Sequence, residues 1–483
     1  GALALGLSHI LIREGWLDQE FVKDWTRGYE AFAEYVREFS PKRVSDITGI
    51  SEEIILKLAK DIADAEGASY VMYTGLEYTK SGVQNIRAVM VLWALAGQLD
   101  VEGGRCFIRR ENQIQLNRDH QIGSPGYDKS IGYGHFPLYA YFCGGEPHSN
   151  RLPSAILNSD PYKIRGLIIM GASILTSLPD PITWQKAFGA LDFMVSIDLQ
   201  FTRDAAWADI VLPACSFLEK SGVGYVYGVT NCIPYAMVRK KVIDPIGECW
   251  PDWKIWTEIG RRMGYGEFFP WNSEEEIIDF FLKPSGLNRE QLTKDHPEGA
   301  YYTEMKYVQQ KRYNTPSGKI ELYSTTFEEA GFDPLPKYTH HEEPPPGFYR
   351  LNYGRAPMHT FSRTSNNPNL TDLMDENTLW VNPRVAKEWG LSTGQYVHLV
   401  NQDGKKSEFP IKVRVTERIR WDSVYMVHGF GHDQKKLRRC YGKGASDTNL
   451  ITKVLVDPLM GGTGMRGNFV TFITDLSGKE VAS

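Results

Sequence analysis

The sequence lacks any run of the ~20 continuous apolar residues that a bilayer-crossing helix needs, so the chain itself is not expected to span a membrane. It also lacks an excess of charge of either sign, since the formal net charge is -5 over 483 residues. This balance gives no indication of nucleic-acid binding. The hydrophobic content of 42% and the charged content of 23% are ordinary for a globular chain of about three domains.

Cysteine pairs of the C-x-x-C type are absent. The six cysteines are scattered at Cys106, Cys143, Cys215, Cys232, Cys249 and Cys440. This spacing argues against an iron–sulfur cluster or a zinc site built from this chain alone. We interpret most of them as small buried apolar residues.

An initiator methionine and a basic leader are absent too, and the chain opens at Gly1 directly into an apolar pattern of helical spacing. We therefore expect a fragment or processed product of a longer protein, with any export signal upstream. Walker A spacing is absent. The G-x-G-x-x-G of Gly462 to Gly467 precedes a strand pattern rather than a helix, so it is not interpreted as a dinucleotide fingerprint. His428 and His432 are four apart, but Gly429 and Gly431 disfavour a helical zinc site.

The first hundred residues predict α/β structure. Residues 2 to 14 predict a helix that ends at Gly15, and Ser51 predicts the N-cap of an amphipathic helix. The apolar stripe of that helix is predicted at Ile54, Ile55, Leu58 and Ile62. Residues 69 to 75 then predict a strand, and residues 85 to 96 a buried helix.

Three short apolar runs, at residues 166–171, 193–198 and 209–213, predict buried parallel strands of a doubly wound sheet. Ligands bind such sheets outside the carboxyl ends of the strands, where Gly171 with Ala172 and Asp198 with Thr202 are expected. A carboxylate there can accept two hydrogen bonds from a guanine edge. The alternative is that Asp198 and Thr202 only cap the next helix.

In the last third, four loop sequences rich in Gly, His, Asn, Thr and Arg alternate with strand patterns that predict a β-barrel. They are residues 353–370, 426–432, 444–450 and 461–469. Their glycines serve either tight turns or the close approach of a flat ligand, and the clustered His, Asn and Arg favour the ligand. The basic run at residues 435–439 is either a solvated face or a phosphate or subunit contact.

Several motifs resemble the catalytic subunit of the molybdopterin oxidoreductases of the dimethyl sulfoxide reductase superfamily. Ala-Asp-Ile-Val-Leu-Pro at residues 208–213 and Thr-Pro-Ser-Gly-Lys-Ile-Glu at residues 315–321 are marks of the superfamily. The sequences from Tyr353 to Pro368 and from Tyr425 to His432 resemble most closely the thiosulfate and polysulfide reductase branch.

This resemblance implies doubly wound α/β cofactor-binding domains followed by a C-terminal β-barrel. The expected segments are residues 1–105, the remainder of one molybdopterin-binding domain, and 106–270, a second domain that binds a guanine dinucleotide. Residues 271–348 form a connecting segment with a strand and a linker, and residues 349–483 form the molybdopterin dinucleotide-binding barrel.

The resemblance also implies two molybdopterin guanine dinucleotides that hold one molybdenum or tungsten. Asp198 and Thr202 match guanosine contacts of one cofactor, and Arg110 and Asn112 are matched to residues near the metal. The expected cofactor-binding residues are Gly171, Ala172, Asp198, Thr202, Asp209, His359, Thr360, Arg363, His428, Gly429, Gly431, His432, Asn449, Arg466, Asn468, Arg110 and Asn112. Family members carry a [4Fe-4S] segment and the protein ligand to the metal upstream of the point where this chain starts.

The resemblance finally implies the two-electron reduction of polysulfide or thiosulfate in anaerobic respiration. An iron–sulfur subunit and a membrane quinol-oxidising anchor subunit would supply electrons at the periplasmic or outer face of the cytoplasmic membrane. The alternatives are a reductase of another oxyanion such as arsenate or tetrathionate, a formate dehydrogenase, or a scaffold subunit without metal.

Overall fold

The computed structural model describes residues 1–107, 127–143, 145–224, 233–304 and 312–474. The chain forms two compact units. The first unit comprises Gly1–Glu77, Ser81–Gly123 and Cys215–Thr339, and the second comprises Tyr78–Lys80, Ser124–Ala214 and His340–Ser483. The division into four segments at residues 106, 271 and 349 stays a prediction.

The strands, in chain order, are β1 Thr26–Arg27, β2 Gly166–Met170, β3 Phe193–Asp198, β4 Ile210–Pro213, β5 Gly222–Gly224, β6 Tyr235–Arg239, β7 Ala300–Tyr301, β8 Ile320–Glu321, β9 Tyr349–Gly354, β10 Thr378–Val381, β11 Tyr396–Asn401, β12 Ile411–Val415, β13 Ser423–Val427 and β14 Phe469–Ile473. The α-helices are Ala2–Glu14, Gln19–Trp25, Tyr29–Val36, Pro41–Thr48, Glu52–Asp64, Gly82–Leu95, Pro137–Phe142, Leu152–Asn158, Ile174–Ser177, Pro181–Gly189, Asp252–Arg262, Glu274–Leu282, Thr325–Glu329, Pro368–Thr371 and Pro383–Trp389. Within these described ranges no helix is long and apolar enough to cross a bilayer.

The first unit is built on the helix Ala2–Glu14, which ends at Gly15 in the left-handed conformation, as predicted. The hydroxyl of Ser51 caps the helix Glu52–Asp64, also as predicted. The buried face of that helix is Ile55, Ala59 and Ile62, whereas Ile54 and Leu58 are exposed. The predicted stripe was therefore partly wrong, because the buried positions follow the i, i+4, i+7 spacing that starts at Ile55.

The predicted strand at residues 69–75 is absent, and this segment is irregular. The indole of Trp93 donates to the carbonyl of Ala68 at 2.8 Å, and Tyr70 packs edge-on against the same indole. Val71 and Tyr73 are exposed. The prediction was wrong because Tyr70 packs on the helical residue Trp93 and its neighbours face solvent, so the segment does not pair with a strand.

The second unit contains the predicted parallel sheet, with strand order β2-β3-β4. The prediction that all three strands are buried was wrong, because only the central strand β3 is mostly buried and the flanking strands β2 and β4 are largely exposed. The helices Ile174–Ser177 and Pro181–Gly189 follow β2, and their apolar residues pack on the sheet against Ile169 and Met194. The carboxyl ends of β2 and β3 lie side by side, because Met170 pairs with Ile197.

The strands β10-β12-β11-β14-β9-β13 close into the predicted barrel. Buried residues alternate along β9 and β11, so that Leu351, Val397 and Leu399 fill the interior. The helix Pro383–Trp389 lies between β10 and β11, with Asn382 at its N-terminus and Gly390 at its C-terminus. A barrel surrounded by ordered loops, next to an α/β sheet in the same unit, is the frame that positions the candidate site.

Candidate functional site

The carboxyl edge of the parallel sheet carries the first group of predicted residues. Asp198 ends β3, and its Oδ1 accepts hydrogen bonds from the backbone N–H of Leu199 at 2.6 Å and of Gln200 at 3.2 Å. Burial raises the pKa of the Asp198 carboxyl. Gly171 follows β2 with φ 57°, a conformation that glycine adopts without strain. The hydroxyl of Thr202 accepts from the backbone N–H of Ala205 at 3.2 Å, at the start of the short helical turn Ala205–Trp207.

A cleft of ≈ 110 Å³ opens at this edge, between the sheet and loops of the barrel. It brings Gly171, Asp198 and Thr202 together with Arg363 and His432, five residues that the sequence predicted in four separate segments. Its remaining lining residues are Ser173, Thr176, Leu199, Gln200, Arg203, Ser362, Ser365, Asn366 and Leu437.

Arg203 joins the sheet side of the cleft to the barrel side. Its guanidinium lies 3.1 Å from Asp433 and 3.6 Å from Glu408, and it donates to Oδ1 of Asn449 at 3.4 Å. The Arg203 side chain is only 13% exposed. Arg203 was not among the predicted residues, although it directly follows Thr202, because nothing in the local pattern shows which charged residues meet across the fold.

The imidazole of His432 is buried at the wall of the cleft. Its Nε2 lies 3.1 Å from the carbonyl oxygen of Gly429, which can only accept, and 2.8 Å from Oγ of Ser365. Burial lowers the pKa of His432 to about 4. His432 is therefore a neutral donor through Nε2, and its Nδ1 is an acceptor, near neutral pH.

A second group of predicted residues surrounds the end of β13. Nδ1 of His428 donates to Oδ2 of Asp447 at 2.8 Å, and Asp447 is 1% exposed. Burial alone would lower the pKa of His428, but the Asp447 carboxylate outweighs it, and the pKa is raised. The ring of Tyr353 lies 5.9 Å from that of His428, and the Arg466 guanidinium lies 5.7 Å from the Tyr353 ring.

The loop from Ser446 to Asn449 connects the two groups. Asp447 faces His428, while Asn449, two residues later, contacts Arg203. The Thr448 hydroxyl donates to the carbonyl of Thr176, just after β2. The short helical turn Thr448–Leu450 and its N-cap Asp447 thus direct alternate side chains to two clusters, which sequence spacing did not reveal.

Backbone crowding explains two of the predicted glycines. Gly429 has φ 88°, and a Cβ atom there would lie 2.6 Å from the backbone of Phe361 and Ser362. Gly431 has φ 73°, and its Cβ would lie 2.4 Å from the backbone nitrogen of Ser446. Phe361 itself has φ 53°, a strained conformation for a bulky residue of the kind that concentrates at functional sites.

Two predicted residues use their side-chain hydrogen-bonding groups within the chain itself. The ring nitrogens of His359 lie 2.6 Å from the carbonyl of Met374 and 3.2 Å from the Thr364 hydroxyl. Asn468 is fully buried, and its amide donates to the carbonyls of Lys453 and Met465. Both residues therefore hold loops in place rather than offering polar atoms to a ligand.

The other predicted residues lie outside the two groups or at their edge. Asp209 stands at the amino end of β4, where its Oδ2 accepts from the backbone N–H of Met194, so it is not brought to the cleft. Ala172 and Thr360 are exposed neighbours of cleft or loop residues. Arg110 and Asn112 lie outside the described residues. In the part of the chain that the structure describes, no cluster of three His, Cys, Asp or Glu side chains could hold a metal ion.

Comparison with protein families gives two matches. A model described as molybdopterin oxidoreductase matches residues 1–262. A model described as a molydopterin dinucleotide binding domain matches residues 349–468. The second range includes the barrel strands β9 to β13 and most of the loops around His428.

Two curated relatives are similar over most of this chain. The thiosulfate reductase molybdopterin-containing subunit PhsA of Salmonella typhimurium is 27% identical over 472 residues, which is 89% of this chain and 61% of the relative. The F420-dependent formate dehydrogenase subunit alpha of Methanocaldococcus jannaschii is 28% identical over 446 residues, 89% of this chain and 63% of the relative. The chain thus spans about three fifths of the length of these relatives.

A solved structure gives an independent comparison of the fold. The acetylene hydratase from Pelobacter acetylenicus superposes with a TM-score of 0.83, at 22% sequence identity. The match covers 98% of this chain and 70% of that protein. It shows that the two proteins share a fold, without bearing on substrate.

Proposed function

Because this chain belongs to the molybdopterin oxidoreductase family, we propose that its cleft binds the nucleotide end of a molybdopterin guanine dinucleotide in the catalytic subunit of a sulfur-compound reductase. The observation that carries the proposal is the meeting of Asp198 and Thr202 with Arg363 and His432 in one cleft. That cleft lies at the carboxyl edge of a parallel sheet, the usual place for a nucleotide in such folds.

The residues around His428 fit the pterin end of such a cofactor. Among the described residues, Oδ1 of the buried Asp447 has no hydrogen-bond partner. A buried carboxylate oxygen without a donor is costly, and pterins carry ring and amino N–H groups that would satisfy it. Arg466 supplies donors and positive charge in the same group, and the Asp447 carboxylate raises the pKa of His428 and so favours its charged form.

The side chains of the cleft and of the group around His428 each have a role in binding the cofactor. Asp198 accepts from the base, while Arg203 and Arg363 provide guanidinium groups for the phosphates. Nδ1–H of His428 donates to Asp447, which orients the ring, and neutral His432 offers an acceptor without adding charge. The metal, when bound through the pterin sulfurs, supplies the two-electron chemistry.

We further propose two such cofactors, one molybdenum or tungsten, and a [4Fe-4S] cluster in the complete protein, with the protein ligand to the metal outside this sequence. Arg110 and Asn112 are proposed to lie near the metal. Electrons would come from an iron–sulfur subunit and a membrane quinol-oxidising anchor, with the enzyme at the periplasmic or outer face of the membrane. The similarity to a protein named as a thiosulfate reductase molybdopterin-containing subunit supports the molybdopterin cofactor and the sulfur substrate.

The proposed reaction breaks a sulfur–sulfur bond. In thiosulfate, two electrons and two protons release hydrogen sulfide and sulfite; in polysulfide, they release sulfide and shorten the chain by one sulfur. Positive side chains near the substrate would stabilise its negative charge and that of the leaving group.

Formate oxidation is the second candidate, because the formate dehydrogenase subunit is as similar to this chain as the thiosulfate reductase subunit is. Reduction of another oxyanion, such as arsenate or tetrathionate, and a scaffold subunit without metal are the remaining alternatives. The two clusters of buried polar residues favour a subunit that holds its cofactor over a scaffold.

The test uses the purified full-length protein. Metal analysis and chromatography of the nucleotides released on denaturation should find molybdenum or tungsten together with guanine nucleotide. Reduced viologen should be oxidised on addition of thiosulfate or polysulfide. Viologen reduction by formate, with no response to sulfur compounds, would replace the first candidate with the second, and absence of metal and nucleotide would favour the scaffold.

A further inference from the structure

Three groups at the rim of the cleft form a chain of hydrogen bonds. The backbone N–H of Arg439 donates to Oδ1 of Asn366 at 3.0 Å. Nδ2 of Asn366 then donates to Oε1 of Gln200 at 3.2 Å. Both Asn366 and Gln200 line the cleft beside Asp198.

The orientation of both amides follows from the first bond. A backbone N–H can only donate, so the Asn366 atom that faces Arg439 must be its oxygen, and its nitrogen must face Gln200. That nitrogen in turn donates, so the Gln200 atom facing it must be the oxygen. The two amide donors of Gln200 remain, and they donate to no group in the described ranges of the chain.

The cleft therefore places a donor next to an acceptor. Asp198 is an acceptor whose carboxylate is oriented by the backbone N–H groups of Leu199 and Gln200. Gln200, two residues later, contributes an NH₂ group whose direction Asn366 fixes. A base with two adjacent donors and a neighbouring carbonyl is complementary to this pair, and guanine, with N1–H, N2–H₂ and O6, is such a base.

We propose that Gln200 determines the choice of base by donating to the carbonyl at C6, and that Asn366 is the positioning residue that keeps Gln200 in the donor orientation. This inference rests on the proposed function, because it requires a nucleotide in the cleft. Adenine and cytosine carry an amino group where guanine carries O6. In these bases two hydrogen-bond donors, the amino group and the Gln200 NH₂, would face each other, which disfavours binding.

The variant Asn366→Asp reverses the orientation with almost no change in shape. One carboxylate oxygen still accepts from Arg439, but the other now faces Gln200 as an acceptor. Gln200 must then rotate its NH₂ toward residue 366 and its oxygen toward the base. The matched control is Asn367→Asp, which adds the same charge one residue away, at a position where Oδ1 already accepts from the backbone of Asn369.

The experiment measures binding of two nucleotides to the full-length protein produced in a host that makes no molybdopterin. Isothermal titration compares GMP with 2,6-diaminopurine riboside monophosphate, which keeps the 2-amino group but has an amino group at C6. The two bases also differ at N1, which carries a hydrogen only in guanine, but that difference faces Asp198 in wild type and variant alike. The added negative charge weakens both nucleotides alike, so the change in the ratio of their affinities between wild type and variant isolates the contact at C6. We expect Asn366→Asp to lower the preference for GMP by about tenfold, the effect of exchanging a donor for an acceptor at a partly buried site. Asn367→Asp should leave the ratio unchanged.

A second variant, Gln200→Glu, replaces the donor itself on a half-buried side chain and should lower the ratio in the same direction without threatening the fold. A ratio that is equal in wild type and both cleft variants would overturn the inference while leaving nucleotide binding intact. If the wild-type protein bound neither nucleotide, the proposed function of the cleft would fall, and this inference with it.

Discussion

Asp447 and His428 face each other across 2.8 Å, and both side chains are almost completely buried. The carboxylate holds the imidazole by Nδ1 and raises its pKa against the opposing effect of burial. Asn449, two residues from Asp447, contacts Arg203 at the cleft. The loop at Ser446 to Asn449 therefore connects the His428–Asp447 pair to the cleft through the contact between Asn449 and Arg203.

Replacing Asp447 with Asn should lower the pKa of His428 below its ordinary value, because burial then acts unopposed. A raised histidine pKa stabilises the fold at low pH and loses that contribution as pH rises through the folded pKa. The stability difference between wild type and variant should thus be larger at pH 6 than at pH 9. NMR titration of the histidine ring signals measures the pKa, with Asp375→Asn, at a surface pair with Lys443, as control. An unshifted His428 would contradict the pairing.

His432 should make the fold sensitive to acid. Its folded pKa of about 4 lies below that of an unfolded histidine, so the unfolded state takes up the proton first and stability falls as pH drops from about 6.5 toward 4. At 1.36 kcal/mol per pKa unit the full loss is about 3 kcal/mol. In His432→Gln the amide can still donate to Gly429, and this part of the acid dependence should vanish. Urea unfolding at several pH values would show it, and identical slopes for both proteins would rule out a neutral His432.

Arg203→Gln should reduce the free energy of unfolding by about 2 kcal/mol, because it leaves Glu408 and Asp433 facing each other in a half-buried site. The control is Arg165→Gln, which breaks an exposed pair with Asp192 and should cost about 0.5 kcal/mol. Denaturant unfolding compares them. Equal losses would mean that Arg203 is no more important to stability than a surface ion pair.

Gly431→Ala should be more destabilising than Gly404→Ala, although both glycines have positive φ. At Gly404 a Cβ meets nothing within 4 Å, so the cost is the backbone strain of about 1–2 kcal/mol. At Gly431 the Cβ collides with the Ser446 backbone, which adds about 3 kcal/mol of overpacking. Thermal unfolding of both variants separates the backbone strain from the steric collision. Equal decreases in the melting temperature would show that the loop at Gly431 does not contact the loop at Ser446.

The fold was predictable where a residue's local pattern decides its structure. Gly15 and Ser51 mark helix ends, and the alternating residues of β9 and β11 mark a half-buried barrel wall. The irregular structure of residues 69–75 was not predictable. The composition of this segment is typical of a strand, but its start is held by the indole of Trp93 and not by a neighbouring strand.

The site residues were predictable only where the local sequence around each residue indicates its role. The predicted Asp198 and His432 do line one cleft, and the predicted His428 and Arg466 do lie near one tyrosine. The sequence could not show that His359 and Asn468 use their polar atoms in hydrogen bonds to neighbouring loops. Their partners are backbone carbonyls of Met374 and Lys453, which lie about 15 residues away and which every residue type carries. Arg203 and Asp447 were missed for the same reason, since their importance comes from charges that meet only in the folded chain.

The most direct test of the account is the nucleotide content of the purified full-length protein with Asp198→Asn, set against Asp209→Asn. Both variants keep an oxygen that accepts the local backbone hydrogen bonds, but only Asp198 lies in the cleft. We predict that guanine nucleotide and metal are lost from Asp198→Asn, while Asp209→Asn retains wild-type amounts. Equal retention in both variants would contradict the claim that this cleft holds the cofactor.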